Sequence, residues 1–225
     1  MDKNLFYIIS CLDIDNQSVL IQGITHLYLM NIEYDVIPSD PALFASYENI
    51  LVPALYSATD DVLNALNEFV ANGGNMVVTF KSAFSDEHLK IRHDVQPYII
   101  NKALGIQYDE FTLPDDITVT CGGKSSKARD WMDMVDCTTA TPVAIYEHKH
   151  WGVHAAITKN SYGKGRAMYL ATLFGEDTLI EALKLFFGEQ KNEFDASYHV
   201  VIKRGTNMQG EKIIYLLNYS DDEQT

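Results

Sequence analysis

The chain has 225 residues, of which 47% are hydrophobic and 21% charged, and its formal net charge at pH 7 is -14. This composition is ordinary for a soluble globular protein with a sizeable core. The excess of acidic residues argues against nucleic acid as a partner, because the phosphates would be repelled, and against binding to anionic membrane surfaces.

The first 80 residues alternate between strand and helix patterns. Apolar residues at helical spacing predict one helix at residues 18–31 and a second between the expected N-cap Thr59 and the terminating Gly73 and Gly74. Short apolar runs predict buried strands at residues 5–10, 34–37, 49–53 and 75–80. Alternation of this kind is typical of an α/β fold, with a parallel sheet and helices on both faces.

The pattern changes after residue 80. Residues 81–94 form a polar loop whose length is uncommon in a compact domain unless the loop has a function. A short helix is expected at residues 95–105 and a final amphipathic helix at residues 176–188. Between these helices, the sequence predicts strands at residues 106–113, 117–121, 141–148, 153–160 and 166–172, the last two joined in a hairpin.

Two further strands are predicted at residues 198–204 and 212–219. An isolated two-stranded hairpin is marginal in water, so we expect this hairpin to belong to a second antiparallel β-domain that is incomplete. The predicted division places one domain at residues 1–192 and the other at residues 193–225.

The cysteines and the N-terminal sequence bear on location. Cys11, Cys121 and Cys137 are too few and too widely spaced for a disulfide framework, which favours a reducing compartment. The N-terminus lacks the features of a signal peptide, and no apolar run reaches the roughly 18 residues of a membrane helix. A cytoplasmic location without membrane contact is therefore expected.

The glycine-rich segments do not fit a phosphate-binding loop. Gly73 and Gly74 follow a helix and precede a strand, which is the reverse of the order that a phosphate site requires. The segment from Gly122 to Ser125 resembles the end of a P-loop, but Thr118 occupies the position of the required earlier glycine. A nucleotide or flavin binder is thus a disfavoured alternative, and no cofactor is expected.

A second alternative is an enzyme related to the class I glutamine amidotransferases, which share this kind of α/β fold. Such enzymes place a nucleophilic cysteine on a tight strand-to-helix turn. The turn after residues 75–80 has no cysteine, which leaves Cys121, at the end of a predicted strand, as the candidate nucleophile. A packed, unreactive cysteine is the competing interpretation.

Metal and glycosidase chemistry find little support in the sequence. His148, His150 and His154 are clustered, but no further cysteine or acid has matching spacing, so exposed loop histidines are expected and no metal site. The acids of the pairs Asp86–Glu87 and Asp115–Asp116 are adjacent, and neighbouring side chains diverge instead of facing each other across a sugar. The lack of a convincing active site favours a scaffold or interaction module.

Several longer motifs resemble one known family. The segments DVIP (35–38), LVPALY (51–56) and GGNMVVT (73–79), with the hairpin KNSYGKGR (159–166) and the closing KIIYLLNYS (212–220), resemble the trimerisation domain of family 42 glycoside hydrolases, the β-galactosidases. The resemblance extends from about residue 33 to the end and is most specific between residues 47 and 80.

The resemblance implies a three-layer flavodoxin-like or class I glutamine amidotransferase-like domain, with a parallel sheet, antiparallel additions and a truncated hairpin. In the family this domain builds a homotrimer and lies between a TIM barrel and a small β-domain. The barrel carries two catalytic glutamates and often a zinc site, and none of these can be placed on this chain. The resemblance therefore implies a non-catalytic oligomerisation fragment of an enzyme that hydrolyses terminal β-D-galactosides with retention.

The loop after the strand at residues 75–80 is the candidate site. Where relatives carry Arg-Ser-Gly, this chain has Lys81, Ser82 and Ala83, and a lysine cannot reproduce the bidentate fork of an arginine. The loop is expected at the carboxyl edge of a parallel sheet, where such folds bind ligands. We expect interdomain or intersubunit contacts near a sugar-binding cleft, with the barrel and further copies as partners, from Lys81, Ser82, Asp86, Glu87 and His88.

Overall fold

The computed structural model of the protein describes residues 6–9, 32, 34–188 and 200–219, the first segment as backbone only. The predicted helix at residues 18–31, Cys11 and the predicted domain boundary at residue 192 lie outside the described residues.

A nine-stranded mixed sheet forms the centre of the protein. Its first half is parallel: β1 (Phe6–Ile9) lies between β2 (Tyr34–Ile37) and β3 (Asn49–Val52), and β4 (Asn75–Thr79) lies beside β3. These strands confirm the four that the sequence predicts in the first 80 residues. Strands β3 and β4 are almost fully buried, which explains their continuous apolar runs.

Strand β13 (Gly165–Leu170) joins the parallel half of the sheet to an antiparallel half. It pairs in parallel with β4 and antiparallel with β12 (Ala155–Tyr162), beyond which lie β11 (Thr141–Glu147), β7 (Thr118–Cys121) and β8 (Lys124–Lys127). The predicted hairpin is confirmed as β12–β13. The sheet confirms an α/β fold in which parallel and antiparallel strands are mixed.

Three smaller sheets lie among the described residues. They consist of β5 (Ile106–Gln107) with β10 (Asp136–Cys137), of β6 (Phe111–Thr112) with β9 (Arg129–Asp133) and β14 (Thr172–Leu173), and of β15 (Val200–Thr206) with β16 (Lys212–Asn218). The predicted strand at residues 106–113 is therefore two short strands in different sheets. Strands β8, β9 and β10 escape prediction because they are short or carry charges where an apolar alternation would be needed.

The described helices are α1 (Pro41–Phe44), α2 (Asp60–Ala71), α3 (Asn101–Leu104) and α4 (Glu176–Phe187), with a 3-10 turn at Tyr98–Ile100. The predicted helix at residues 95–105 is thus reduced to this turn and α3. None of these helices is long and apolar enough to cross a membrane.

The start and the buried face of α2 follow from its sequence. The Thr59 hydroxyl accepts the Val62 N–H at 3.3 Å, which confirms the predicted N-cap, and the acids Asp60 and Asp61 in the first turn complement the helix dipole. The helix packs on the core through a row of buried apolar residues: Val62, Leu63, Leu66, Phe69 and Val70.

The β12–β13 hairpin lies directly against the end of α2. A Cβ atom at Gly165 would lie 2.2 Å from the Gly74 carbonyl oxygen, and one at Gly163 would lie 2.5 Å from that of Ala71. Lys164 N–H donates to the Ala71 carbonyl at 2.9 Å. The glycines of the turn are therefore required by backbone-to-backbone contact as well as by the positive φ of +60° at Gly163.

Candidate functional site

The predicted loop leaves the carboxyl end of β4 and is held there by Ser82. This residue is fully buried, and its hydroxyl donates to the Thr79 carbonyl at 2.8 Å and accepts the Leu55 N–H at 3.1 Å. Ser82 thus ties the loop to the segment after β3. Its burial means that Ser82 positions the loop and has no surface with which to touch a partner.

Asp86 organises the tip of the loop. One carboxylate oxygen, Oδ1, accepts the backbone N–H groups of His88 and Lys90, both at 2.9 Å. The hydrogen bond from Lys90 is the main cause that lowers the pKa of Asp86. The Asp86 carbonyl in turn accepts the Ser57 hydroxyl at 2.7 Å, so the tip is pinned to the body of the domain.

Glu87 and His88 are the predicted site residues that face outward at this tip. Their side chains are 50% and 82% exposed, and His88 Nε2 lies 3.8 Å from Glu87 Oε1. An exposed pair at this distance contributes little to stability. Both side chains are therefore available to a partner.

Arg92 anchors the far end of the loop, although no pattern in the sequence singles it out. Its guanidinium donates to Asp60 Oδ1 at 2.6 Å and to the Ala58 carbonyl at 2.8 Å, while its side chain is only 8% exposed. The guanidinium also lies 4.2 Å from the Tyr98 ring centroid. The planar guanidinium, with its two donor groups, therefore holds this end of the loop against the N-terminus of α2.

Lys81 takes part in an aromatic cluster at the same edge of the sheet. Its ammonium lies 4.3 Å from the centre of the Trp131 ring, within the range of a cation–π interaction. Phe111 stacks on Trp131 with ring centroids 4.2 Å apart, and Phe84 meets both rings edge-on. Lys81 has a φ of 59°, an uncommon conformation for a lysine.

Asp133 lies beneath this cluster and is also absent from the predicted site. Its carboxylate accepts the Trp131 indole N–H and the Tyr169 hydroxyl, each at 2.7 Å. Burial raises the pKa of Asp133 to about 7, although the hydrogen bonds from Tyr169, Trp131 and the Lys81 backbone oppose the rise. Trp131 and Asp133 are two residues apart on β9 and so share a face, which is the one signal in the sequence that could have linked them.

The alternative nucleophile, Cys121, lacks the features of an activated thiol. It is 2% exposed at the end of β7, where Gly122 and Gly123 form a turn into β8. Burial raises the pKa of the Cys121 thiol, and the Glu181 carboxylate raises it further. A catalytic thiol requires the opposite shift. No helix follows this turn, so the strand-to-helix geometry of an amidotransferase nucleophile is absent there.

His148 and His150 lie side by side, with ring centroids 5.5 Å apart, whereas His154 contacts an acid. The His148 ring nitrogen Nδ1 faces the backbone N–H groups of His150 and Trp151 at 3.3 and 3.4 Å, within the turn after β11. His154 Nδ1 lies 2.9 Å from Asp136 Oδ1, next to β10. Within residues 34–188 and 200–219, no three metal-binding side chains come together in a group that could hold an ion.

Comparison with known proteins identifies the family. Residues 15–192 match the model of the β-galactosidase trimerisation domain. The chain belongs to this family. Among curated relatives, a β-galactosidase from Geobacillus sp. is 27% identical over 212 residues, which are 88% of this chain and 30% of the enzyme. A β-galactosidase from Bifidobacterium bifidum is 31% identical over 166 residues, 68% of this chain and 24% of that enzyme.

Solved structures of family 42 β-galactosidases contain a region with the same fold as this chain. A family 42 β-galactosidase from G. stearothermophilus superposes with a TM-score of 0.83 at 21% identity, covering 100% of this chain and 36% of that chain. The cold-adapted β-galactosidase from Rahnella sp. R3 also gives 0.83, at 22% identity, covering 98% of this chain and 36% of that one. The chain thus spans about a third of the length of the enzymes it matches.

Proposed function

We propose that this chain is a non-catalytic oligomerisation domain that holds copies of a β-galactosidase together as a homotrimer. The observation that carries the proposal is the family match over residues 15–192. The buried Cys121, whose thiol pKa is raised, leaves the glutamine amidotransferase alternative without support.

The catalytic work belongs, in this proposal, to another part of a longer polypeptide. The relatives are named β-galactosidases, and this chain matches only about a third of each. The parent enzyme would hydrolyse terminal β-D-galactosides with retention, using two glutamates on a TIM barrel outside this chain.

Topology supports the finer description of the domain as flavodoxin-like. The parallel strands lie in the order β2-β1-β3-β4-β13, which is the doubly wound order of flavodoxin-like sheets with β13 in fifth place. We assign residues 1–192 to this domain and residues 193–225 to a separate β-unit, because β15 and β16 form a sheet of their own and the family match ends at residue 192.

The two free cysteines Cys121 and Cys137 support a cytoplasmic location.

The loop that carries Lys81 and His88 is the proposed contact site within this domain. Ser82 and Asp86 hold the loop in one conformation, and Glu87 and His88 project from it. Because the loop is already ordered, contact of its two outward polar side chains with a neighbouring subunit or barrel would cost little conformational entropy. The charge-reversed pair Glu87→Lys and His88→Glu should weaken the oligomer, whereas Lys149→Glu, an exposed change on another loop, should not.

The decisive experiment is the solution mass of this chain, measured by light scattering during size exclusion over a range of concentrations. We expect three times 25.4 kDa. A mass of one chain at every concentration would show that the domain does not trimerise by itself, and the proposed function would be wrong for this polypeptide.

A further inference from the structure

A buried acid and a surface cation both contact one tryptophan. Asp133 is 1% exposed, and its carboxylate accepts the Trp131 indole N–H at 2.7 Å. The Lys81 ammonium lies 4.3 Å from the centre of the Trp131 ring, and its positive charge favours the ionised form of Asp133. The position of this ammonium and the charge of Asp133 therefore depend on each other.

The hydrogen bonds around Asp133 accommodate both of its protonation states. The Tyr169 hydroxyl lies 2.7 Å from Asp133 Oδ2 and 3.4 Å from the Tyr108 hydroxyl, and its single hydrogen can point to only one of them. When Asp133 is ionised, Tyr169 donates to the carboxylate. When Asp133 has bound a proton from solvent, it donates to Tyr169, which then donates to Tyr108. Neither state leaves the carboxyl group without a partner.

The titratable groups that face Asp133 in the described part of the chain are three tyrosines and one lysine. Tyr169 comes from β13, Tyr108 from the segment after β5, and Tyr146 from β11, where its hydroxyl donates to the Asp133 carbonyl at 3.0 Å. Burial raises the pKa of each tyrosine, so all three stay neutral. Lys81 comes from the loop after β4. Burial raises the pKa of Asp133 to about 7, so this acid is the group that changes its charge near neutral pH.

The backbone at Lys81 is fixed, so the side chain alone can respond to that change. Lys81 has a φ of 59°, and the next residue, Ser82, is tied to Thr79 and Leu55 by hydrogen bonds of 2.8 and 3.1 Å. The attraction between an ammonium and an aromatic ring is weak by itself when the ammonium is partly in water. Ionised Asp133 adds a second attraction, which is lost when the acid is neutral.

We propose that Asp133 and Lys81 form a proton-dependent switch, in which the ionised acid holds the Lys81 ammonium on the Trp131 ring and protonation of the acid releases the ammonium into solvent. The loop after β4 then gains a mobile positive charge as the pH falls, which would alter the contact proposed above. The switch operates within one chain, so its test does not depend on the proposed function or on the oligomeric state.

Nuclear magnetic resonance of protein labelled with carbon-13 lysine tests the switch directly. The ring current of an indole shifts the signal of a methylene group above it upfield, and loss of the signal in Lys81→Arg assigns it. We expect an upfield signal at about pH 9 that moves to the position of exposed lysines by about pH 5. Asp133→Asn should give the exposed position at both pH values. An upfield signal at the lower pH, or in Asp133→Asn at the higher, would overturn the inference.

A second measurement leaves Asp133 in place, in case Asp133→Asn does not fold. Because linkage is reciprocal, a lysine that ionised Asp133 holds must itself favour ionisation of Asp133. Trp131 fluorescence in a Trp151→Phe background follows the titration, and Lys81→Met should raise its midpoint by about half a pH unit or more. Lys90→Met, which removes an exposed lysine from the same loop, is the control and should leave the midpoint unchanged. An unchanged midpoint in Lys81→Met, or an equal shift in the control, would overturn the inference.

Discussion

The Trp131 side chain makes two contacts: its indole N–H donates to Asp133 at 2.7 Å, and the Lys81 ammonium lies 4.3 Å from the centre of its ring. Trp131 thus connects a buried acid with a cation at the carboxyl edge of the sheet. The Lys81 backbone also acts on the Asp133 carboxyl, whose pKa it lowers. The conformation of the loop after β4 therefore depends on a side chain in the core.

Asp133 should make the stability of the domain depend on pH. Its pKa is about 7 in the folded protein against an ordinary value of 3.8, so the folded state binds more protons between these values. Its contribution is therefore most favourable below about pH 4 and is lost as the pH rises to 7, a change of about 4 kcal/mol. The neighbouring hydroxyls of Tyr108, Tyr146 and Tyr169 stay neutral, because burial, and then Asp133, raise their pKa values well above 10.0.

Asp133→Asn is the variant that measures this effect, since an amide keeps the shape and stays uncharged. Urea unfolding of both proteins between pH 4 and pH 8 should show the variant gaining stability relative to wild type as the pH rises. Asp115→Asn provides an exposed-acid control. A difference between wild type and Asp133→Asn that is constant with pH would show that Asp133 does not titrate in this range.

Ser82→Ala should destabilise the domain by about 1–3 kcal/mol, because the buried Leu55 N–H loses its acceptor. Denaturant unfolding measures this, with Ser125→Ala as a matched control at an exposed hydroxyl that contacts Thr120. Equal stability of the Ser82→Ala variant and wild type would mean that water or a shifted backbone replaces the lost contacts.

Arg92→Lys should cost about 1–3 kcal/mol, since a lysine cannot donate to Asp60 and the Ala58 carbonyl together while lying on the Tyr98 ring. Hydrogen exchange should show faster opening of the loop between Ser85 and Arg92 than in wild type. Lys127→Arg, at an exposed pair with Asp116, should leave both stability and exchange unchanged. Unchanged exchange in Arg92→Lys would show that this side chain does not anchor the loop.

Gly165→Ala should prevent stable folding or cost more than about 3 kcal/mol, because the added methyl group would lie 2.2 Å from a backbone oxygen. Gly123→Ala is the matched comparison: its φ is +80°, but a Cβ atom there meets nothing within 4 Å, so only a conformational cost of about 1–2 kcal/mol is expected. Thermal unfolding compares the two. Similar losses would mean that the hairpin can move away from α2.

The strands and helices that the sequence predicts correctly are those determined by patterns of consecutive residues. Strands β3 and β4 are apolar runs, and α2 has its cap and buried stripe within fourteen or so consecutive residues, so each could be recognised alone. Strand β8 is polar and owes its existence to pairing with β7. The contact between Asp133 and Tyr169 joins residues 36 positions apart, and no short-range pattern reports it.

The candidate contact site stays a prediction, and the structure describes only how its loop is built. The loop at residues 81–94 stood out by its length, and Glu87 and His88 do face solvent. Ser82 and Asp86 instead serve the loop itself, which a list of polar residues could not reveal, since burial and hydrogen-bond direction depend on the fold. Phe111 and Trp131 were missed because they come from a part of the chain that reads as irregular strands.

The parallel pairing of β4 with β13 sets an order of events during synthesis. Asn75 lies opposite Arg166, 91 positions later, so β4 has β3 on one side but gains its second neighbour only after these 91 further residues have been made. Pairing across so many residues is slow, because a large loop must close before any bond is gained. Until residue 170 has left the ribosome, β4 is an unpaired strand edge between apolar faces, and this is the stage at which nascent chains are most exposed to aggregation.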